Sequence, residues 1–81
     1  MIEEVKQVIS EEFFIEMEDI KNESDLRNDL GIDSLAATQL VLDLEKKYNI
    51  SITDEEALAL KTFGDVINLL NSKVPKDETG N

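Results

Sequence analysis

Apolar residues in this chain return every three or four positions and nowhere sustain alternation with polar ones over the length of a pairing strand, a pattern that admits amphipathic helices and leaves no strand to build a sheet. Ile2, Val5, Ile9 and Phe13 mark one stripe, widened by Val8, and predict a first helix over 2–15. The period then dissolves over 16–33 into charges and turn-forming residues, with Ile20, Leu26, Leu30 and Ile32 as scattered anchors able to pin a long loop. A second helix is expected from Asp33 or Ser34 to Tyr48, stopped by Asn49, before the short extended piece Ile50, Ser51, Ile52. Thr53 followed by Asp54, Glu55 and Glu56 caps a short third helix through Leu60 and sets three acids at its positive end. Thr62 and Asp65 have the spacing of a capping box with Asp in place of Glu, so a fourth helix with Phe63, Val66, Ile67 and Leu70 inward runs to about Ser72. The expected fold is all-α: a small four-helix bundle of three longer helices and one short one, with a long loop between the first two.

Eighty-one residues leave room for one domain. We expect it to span 1–73, with 74–81 as a polar, disordered tail. The formal net charge of −11 sets the chain against nucleic-acid phosphates and anionic membrane surfaces and directs it toward basic protein surfaces. No cysteine and no histidine is present, so disulfides, thiolate metal sites and the usual nucleophile and base of an enzyme are all missing. The chain reads as a non-enzyme. An acidic amphipathic start without a basic, apolar leader, and no segment of membrane-spanning length, give a cytoplasmic monomer without stable membrane insertion as the expectation.

The informative segment is Asp29-Leu30-Gly31-Ile32-Asp33-Ser34-Leu35, where a glycine-containing turn delivers a serine to the first turn of a helix. The first amides of a helix have no internal partners and the dipole there is positive, so a phosphodiester on Ser34 would sit in a favourable field. Asp33 can cap the same helix, and could help a modifying enzyme hold a metal beside the serine. Ser34 has no histidine or lysine beside it to activate its oxygen, so activation has to come from another protein.

With those residues the chain resembles the acyl carrier and peptidyl carrier family, whose motif is aspartate-leucine-glycine, a variable residue, then aspartate-serine-leucine. The resemblance continues through Gln39-Leu40-Val41, Leu44-Glu45, Tyr48, Ile50, Ile52, Asp54-Glu55-Glu56-Ala57 and Thr62 to Leu70. It implies that a phosphopantetheinyl transferase moves 4'-phosphopantetheine from coenzyme A onto Ser34, with Asp33 part of the attachment site. It implies further that the arm's thiol carries acyl intermediates of fatty acid or polyketide biosynthesis among loading, elongating and off-loading enzymes with basic docking surfaces. An aminoacyl or peptidyl carrier of a specialised pathway, or an unmodified interaction domain of the same fold, is the alternative. The missing cysteine fits, because the reactive sulfur arrives with the cofactor.

Helix two carries apolar residues on more than one side. Ala37, Leu40, Val41, Leu44 and Tyr48 suit the core, whereas Leu35, Thr38, Leu42 and Glu45 recur on another face that could dock partners, together with Asp54, Glu55 and Glu56. The helix is nearly neutral: 33–48 holds 3 acids and 2 bases, against 10 and 3 over 1–32. Against the more acidic second helix typical of fatty-acid-synthesis carriers of the family it resembles, this should change which basic enzymes capture the chain most readily and makes a specialised pathway a rival. Val5, Leu44, Ala57, Leu60 and Ile67 are the candidates for lining a cargo space between the helices. A calcium loop centred on Gly31 fails, because its first and twelfth positions would be Leu26 and Ala37, neither of which supplies a carboxylate; no metal site is expected.

Overall fold

Residues 1–74 are described by a computed structural model. Helix α1 covers Ile2–Phe13, α2 Ser34–Tyr48, α3 Asp54–Leu58 and α4 Phe63–Lys73, with a 3-10 turn at Met17–Asp19. The described residues hold no strand, only an isolated antiparallel bridge between Asp25 and Thr62, so the all-α bundle of three longer helices and a short one is what forms.

Local chemistry sets the helix ends. Asp33 is extended and its carboxylate accepts from the Ala36 N–H, which starts α2; Asn49 takes the left-handed conformation that stops it, with Lys46 and Lys47 in the last turn beside the negative end of the dipole. Both short-range caps downstream are complete boxes: Thr53 with Glu56 opens α3, and Thr62 with Asp65 opens α4.

Three boundaries differ from the sequence expectation. Helix α1 ends at Phe13 and not at 15, because Phe14 adopts φ 59°, ψ 47° and turns the chain out of the helix. Helix α3 stops at Leu58, two residues early, where Ala59 and Leu60 tighten against Ala57 and bring Leu60 round to the core. Helix α4 runs one residue further, to Lys73, and Val74 still packs on the core with its N–H bonded to the Leu70 carbonyl. Val74, expected in the tail, thus packs with the helices; the rest of the expected tail, 75–81, lies outside the described residues.

Phe14 is 94% exposed, so its left-handed backbone is held without any burial of its ring. A non-glycine residue in that conformation costs about 1–2 kcal/mol. Phe14→Gly is therefore expected to raise stability by about 1 kcal/mol in a urea melt.

The core is built from Val5 and Ile9 of α1, Leu40 and Leu44 of α2, and Phe63, Val66, Ile67 and Leu70 of α4. Ile20, Leu26, Leu30 and Ile32 are buried with them, so the long loop is anchored by the four residues its sequence offered. Each such side chain contributes about 1.5–3 kcal/mol on full burial. The loop is also stitched to the start of α4: Leu26 N–H donates to the Lys61 carbonyl, Phe63 N–H to that of Ser24, and Gly64 N–H to that of Asn22. Gly64 allows this close approach, since a Cβ would stand a tight 3.0 Å from the Asn22 oxygen. Helix α3 contributes no buried residue and lies to one side, tied down by Lys73, whose ammonium reaches Glu56 at 2.7 Å and the Ser51 carbonyl at 2.9 Å.

Carboxylates act in opposite senses on stability. Glu56 is held below the usual carboxylate range by the Lys73 hydrogen bond and then by the Thr53 N–H; Asp65 is held low by the N–H groups of Lys61 and Thr62. Their contribution is complete above the unfolded carboxylate range and fades as pH falls through the lowered values. Glu12 is the reverse case, pushed up chiefly by the charge of Asp43, one of whose oxygens is buried without a hydrogen-bond partner. The folded state thus takes up a proton here more readily than the unfolded chain, and the repulsion is relieved only as pH falls through the raised value. Glu12→Gln is expected to raise the melting temperature at pH 7, and the gain should shrink as thermal melts are repeated toward pH 4.

Candidate functional site

The loop ahead of α2 is a locked turn. Asp25 Oδ1 accepts from the N–H groups of Arg27 and Asn28 at 2.9 and 2.8 Å, and Asp29 Oδ2 accepts from the Asp25 N–H at 2.8 Å. Gly31 follows with φ 69°, its N–H donating to the Arg27 carbonyl, and Ile32 N–H closes the turn on the Leu26 carbonyl. The left-handed backbone at Gly31 favours glycine even though a side chain would meet no neighbour within 4 Å. With Leu30 and Ile32 buried on either side of it and Asp33 capping the helix, Ser34 is presented as the first residue of α2 with its side chain exposed. The guanidinium of Arg27 donates to Ser34 Oγ at 3.0 Å.

Beside that oxygen opens a cleft of about 540 Å³. Ala37, Thr38, Val41, Leu42 and Glu45 of α2 form one wall; Asp54, Ala57 and Leu58 of α3, with Leu60 and Lys61 beyond it, form the other; Arg27, Ile32 and Ile52 close the ends. Leu42 and Leu58 of the lining stand 48% and 83% exposed, and Leu35, next to Ser34, 82%, so apolar side chains that no other described residue covers lie at and near the cleft. An apolar surface of this kind suits a ligand or partner face.

The structure gathers some of the residues singled out in the sequence and separates others. Ser34, Asp33, Thr38, Leu42, Glu45 and Asp54 all line the cleft, and so do Ala57 and Leu60 of the five cargo candidates. Val5, Leu44 and Ile67 are instead closed into the core away from the cleft. Leu35 and Glu55 are exposed, on α2 and α3 respectively, and neither lines the cleft. Two of the acids are partly committed within the fold: Glu45 Oε2 accepts from the Ile52 N–H at 2.7 Å, and Glu56 Oε1 takes the Thr53 N–H and the Lys73 ammonium. Val41, expected in the core, lies on the cleft wall. Arg27, Lys61 and Leu58 belong to the site and carried no sequence signal beyond two cations and a leucine in otherwise acidic segments.

These residues fit the 4'-phosphopantetheine that the family resemblance implies. A phosphate ester on Ser34 Oγ would find a guanidinium already at hydrogen-bond distance and the positive end of a 15-residue helix. The apolar side chains of the mixed cleft beside it, among them Val41, Leu42, Ala57 and Leu60, would take the less polar part of a group attached there. Among the described residues, no cluster of three His, Cys, Asp or Glu could hold a metal ion, and no helix is long and apolar enough to cross a membrane.

Comparison with known proteins agrees with this geometry. The family described as phosphopantetheine attachment site matches residues 3–70. An acyl carrier protein of Wolinella succinogenes is 40% identical over 72 residues, covering 89% of this chain and 95% of that protein. The solved structure of a candidate acyl carrier protein from Mycobacterium tuberculosis superposes with a TM-score of 0.82 at 31% identity, covering 88% of this chain and 95% of the other. Acyl carrier protein from Enterococcus faecalis superposes with a TM-score of 0.76 at 30% identity, covering 88% and 90%.

Proposed function

The chain belongs to the acyl carrier protein family and is an acyl carrier bearing covalently attached 4'-phosphopantetheine, and from that premise we propose that the arm is joined to Ser34 Oγ and that its cargo is a fatty acid or polyketide-type intermediate sheltered in the adjoining cleft. The observation that carries this reading is the place of Ser34 Oγ: exposed, first in its helix and at the mouth of the cleft. The other serines are less suited. Ser24 is buried, with its hydroxyl bonded to the Asp19 carbonyl and the Lys21 N–H, and Ser72 donates to Leu69 within α4. Ser10 lies within α1 and Ser51 in the connection after α2, so neither opens a helix.

The arm supplies a terminal thiol on which acyl groups are held as thioesters. Everything else falls to the chain. Asp33 and Gly31 hold Ser34 outward for a phosphopantetheinyl transferase, which has to supply the base that the chain lacks. Val41, Leu42, Ala57, Leu58 and Leu60 offer an apolar wall that excludes water from an acyl chain laid along it. Leu35, Thr38 and Leu42, with Asp54, Glu55 and the uncommitted oxygens of Glu45 and Glu56, form the face that loading, elongating and off-loading enzymes would grip with basic surfaces.

Octanoyl-phosphopantetheine placed on the protein by a transferase that accepts acyl-coenzyme A tests the shelter. The amide NMR signals of Val41, Leu42, Ala57 and Leu60 are expected to move relative to the form carrying the bare arm. Movement confined to Ser34 and Leu35 would put the cargo at the surface and reject the cleft.

A further inference from the structure

Arg27 is the only arginine in a chain with 19 acidic residues, yet its guanidinium rests on a hydroxyl and not on a carboxylate: among the described residues the one salt bridge is Lys73 with Glu56. Its backbone is held at both ends, the N–H by Asp25 Oδ1 and the carbonyl by the Gly31 N–H. The side chain is therefore launched from a fixed point across the glycine turn to Ser34, seven residues on. Arginine presents five donors in a planar fork, of which the serine engages one.

We infer that Arg27 is a phosphate clamp, holding the phosphodiester once it is in place, an inference that rests on Ser34 being the attachment site. Esterification removes the Ser34 hydroxyl hydrogen and turns Oγ into a weak acceptor, while adding a negative charge beside Asp33 on a chain of net charge −11. The guanidinium already lies 3.0 Å from the bridging oxygen, so the anionic oxygens arrive within its reach without movement of the turn. Charge-assisted N–H···O contacts to phosphate are stronger and shorter than the bond to a neutral hydroxyl that they replace. The clamp offsets the added charge and limits the directions in which the arm can leave the helix, favouring the side on which Arg27 and the cleft lie.

The test compares the parent, Arg27→Ala, Arg27→Lys and Lys46→Ala, each modified to completion and confirmed by peptide mapping at Ser34. Lys46→Ala removes the same charge 12 residues along α2, about 18 Å away. The readouts are the phosphorus-31 chemical shift and the relaxation of a nitrogen-labelled pantetheine arm. Arg27→Ala is expected to move the phosphorus signal by more than its linewidth and to increase arm mobility. Arg27→Lys should give an intermediate signal, because a point charge replaces the fork, and Lys46→Ala should match the parent. Added salt should carry the parent signal toward that of Arg27→Ala. If all four proteins share one phosphorus shift and one arm mobility while carrying the group on Ser34, the clamp is wrong and the attachment site stands. If the parent maps to another residue, both are overturned.

Discussion

Phe63→Ala is expected to cost about 3–5 kcal/mol and to leave the protein at the edge of unfolding. Phe63 is fully buried and heads the largest closed side chains of the core. It opens α4, and its N–H donates to the Ser24 carbonyl, so it sits where the long loop is sewn to the last helix. A small domain has few other contacts to absorb a cavity of that size, and its whole stability is on the order of 5 kcal/mol. Urea titration followed by circular dichroism reads the effect directly; a loss under about 1 kcal/mol would mean that the core is not organised around this ring.

Ser34→Ala is expected to abolish phosphopantetheine attachment while leaving the melting temperature within a degree or two of the parent. The hydroxyl is exposed and receives one hydrogen bond, from Arg27, which can turn to water. The cap of α2 belongs to Asp33, not to Ser34, and alanine is a good helix former at the first position. Loss of modification in a variant that melts like the parent therefore reports the missing nucleophile and not a damaged fold. Asp33→Ala makes the useful contrast, since removing that cap costs about 1 kcal/mol.

How much of this was legible beforehand depended on whether a neighbour in sequence or a neighbour in space set the outcome. Helix α2 could be delimited at both ends because Asp33 and Asn49 act on amides and carbonyls a few residues away. The box at Thr62 and Asp65 and the loop anchors Ile20, Leu26, Leu30 and Ile32 were readable for similar reasons: spacing in one case, isolated apolar residues among charges in the other. The end of α1 was not, since Phe13, Phe14 and Ile15 continue the apolar pattern and no glycine or asparagine marks the left-handed turn that Phe14 adopts. Periodicity placed both Val41 and Leu44 on the core side, yet only Leu44 is closed there while Val41 lines the cleft, because a helix wedged between a core and a cleft presents apolar residues to both. The contact between Arg27 and Ser34 could not be read at all: it exists only once the turn at Gly31 has folded.

The central claim is that one serine, presented at the start of α2, carries the arm. Incubation with coenzyme A, magnesium and a broad-specificity phosphopantetheinyl transferase, followed by intact mass and peptide mapping, tests it most directly. The account predicts a single gain of about 340 Da, located on Ser34. A folded sample that gains no mass, or gains it on another residue, would contradict it.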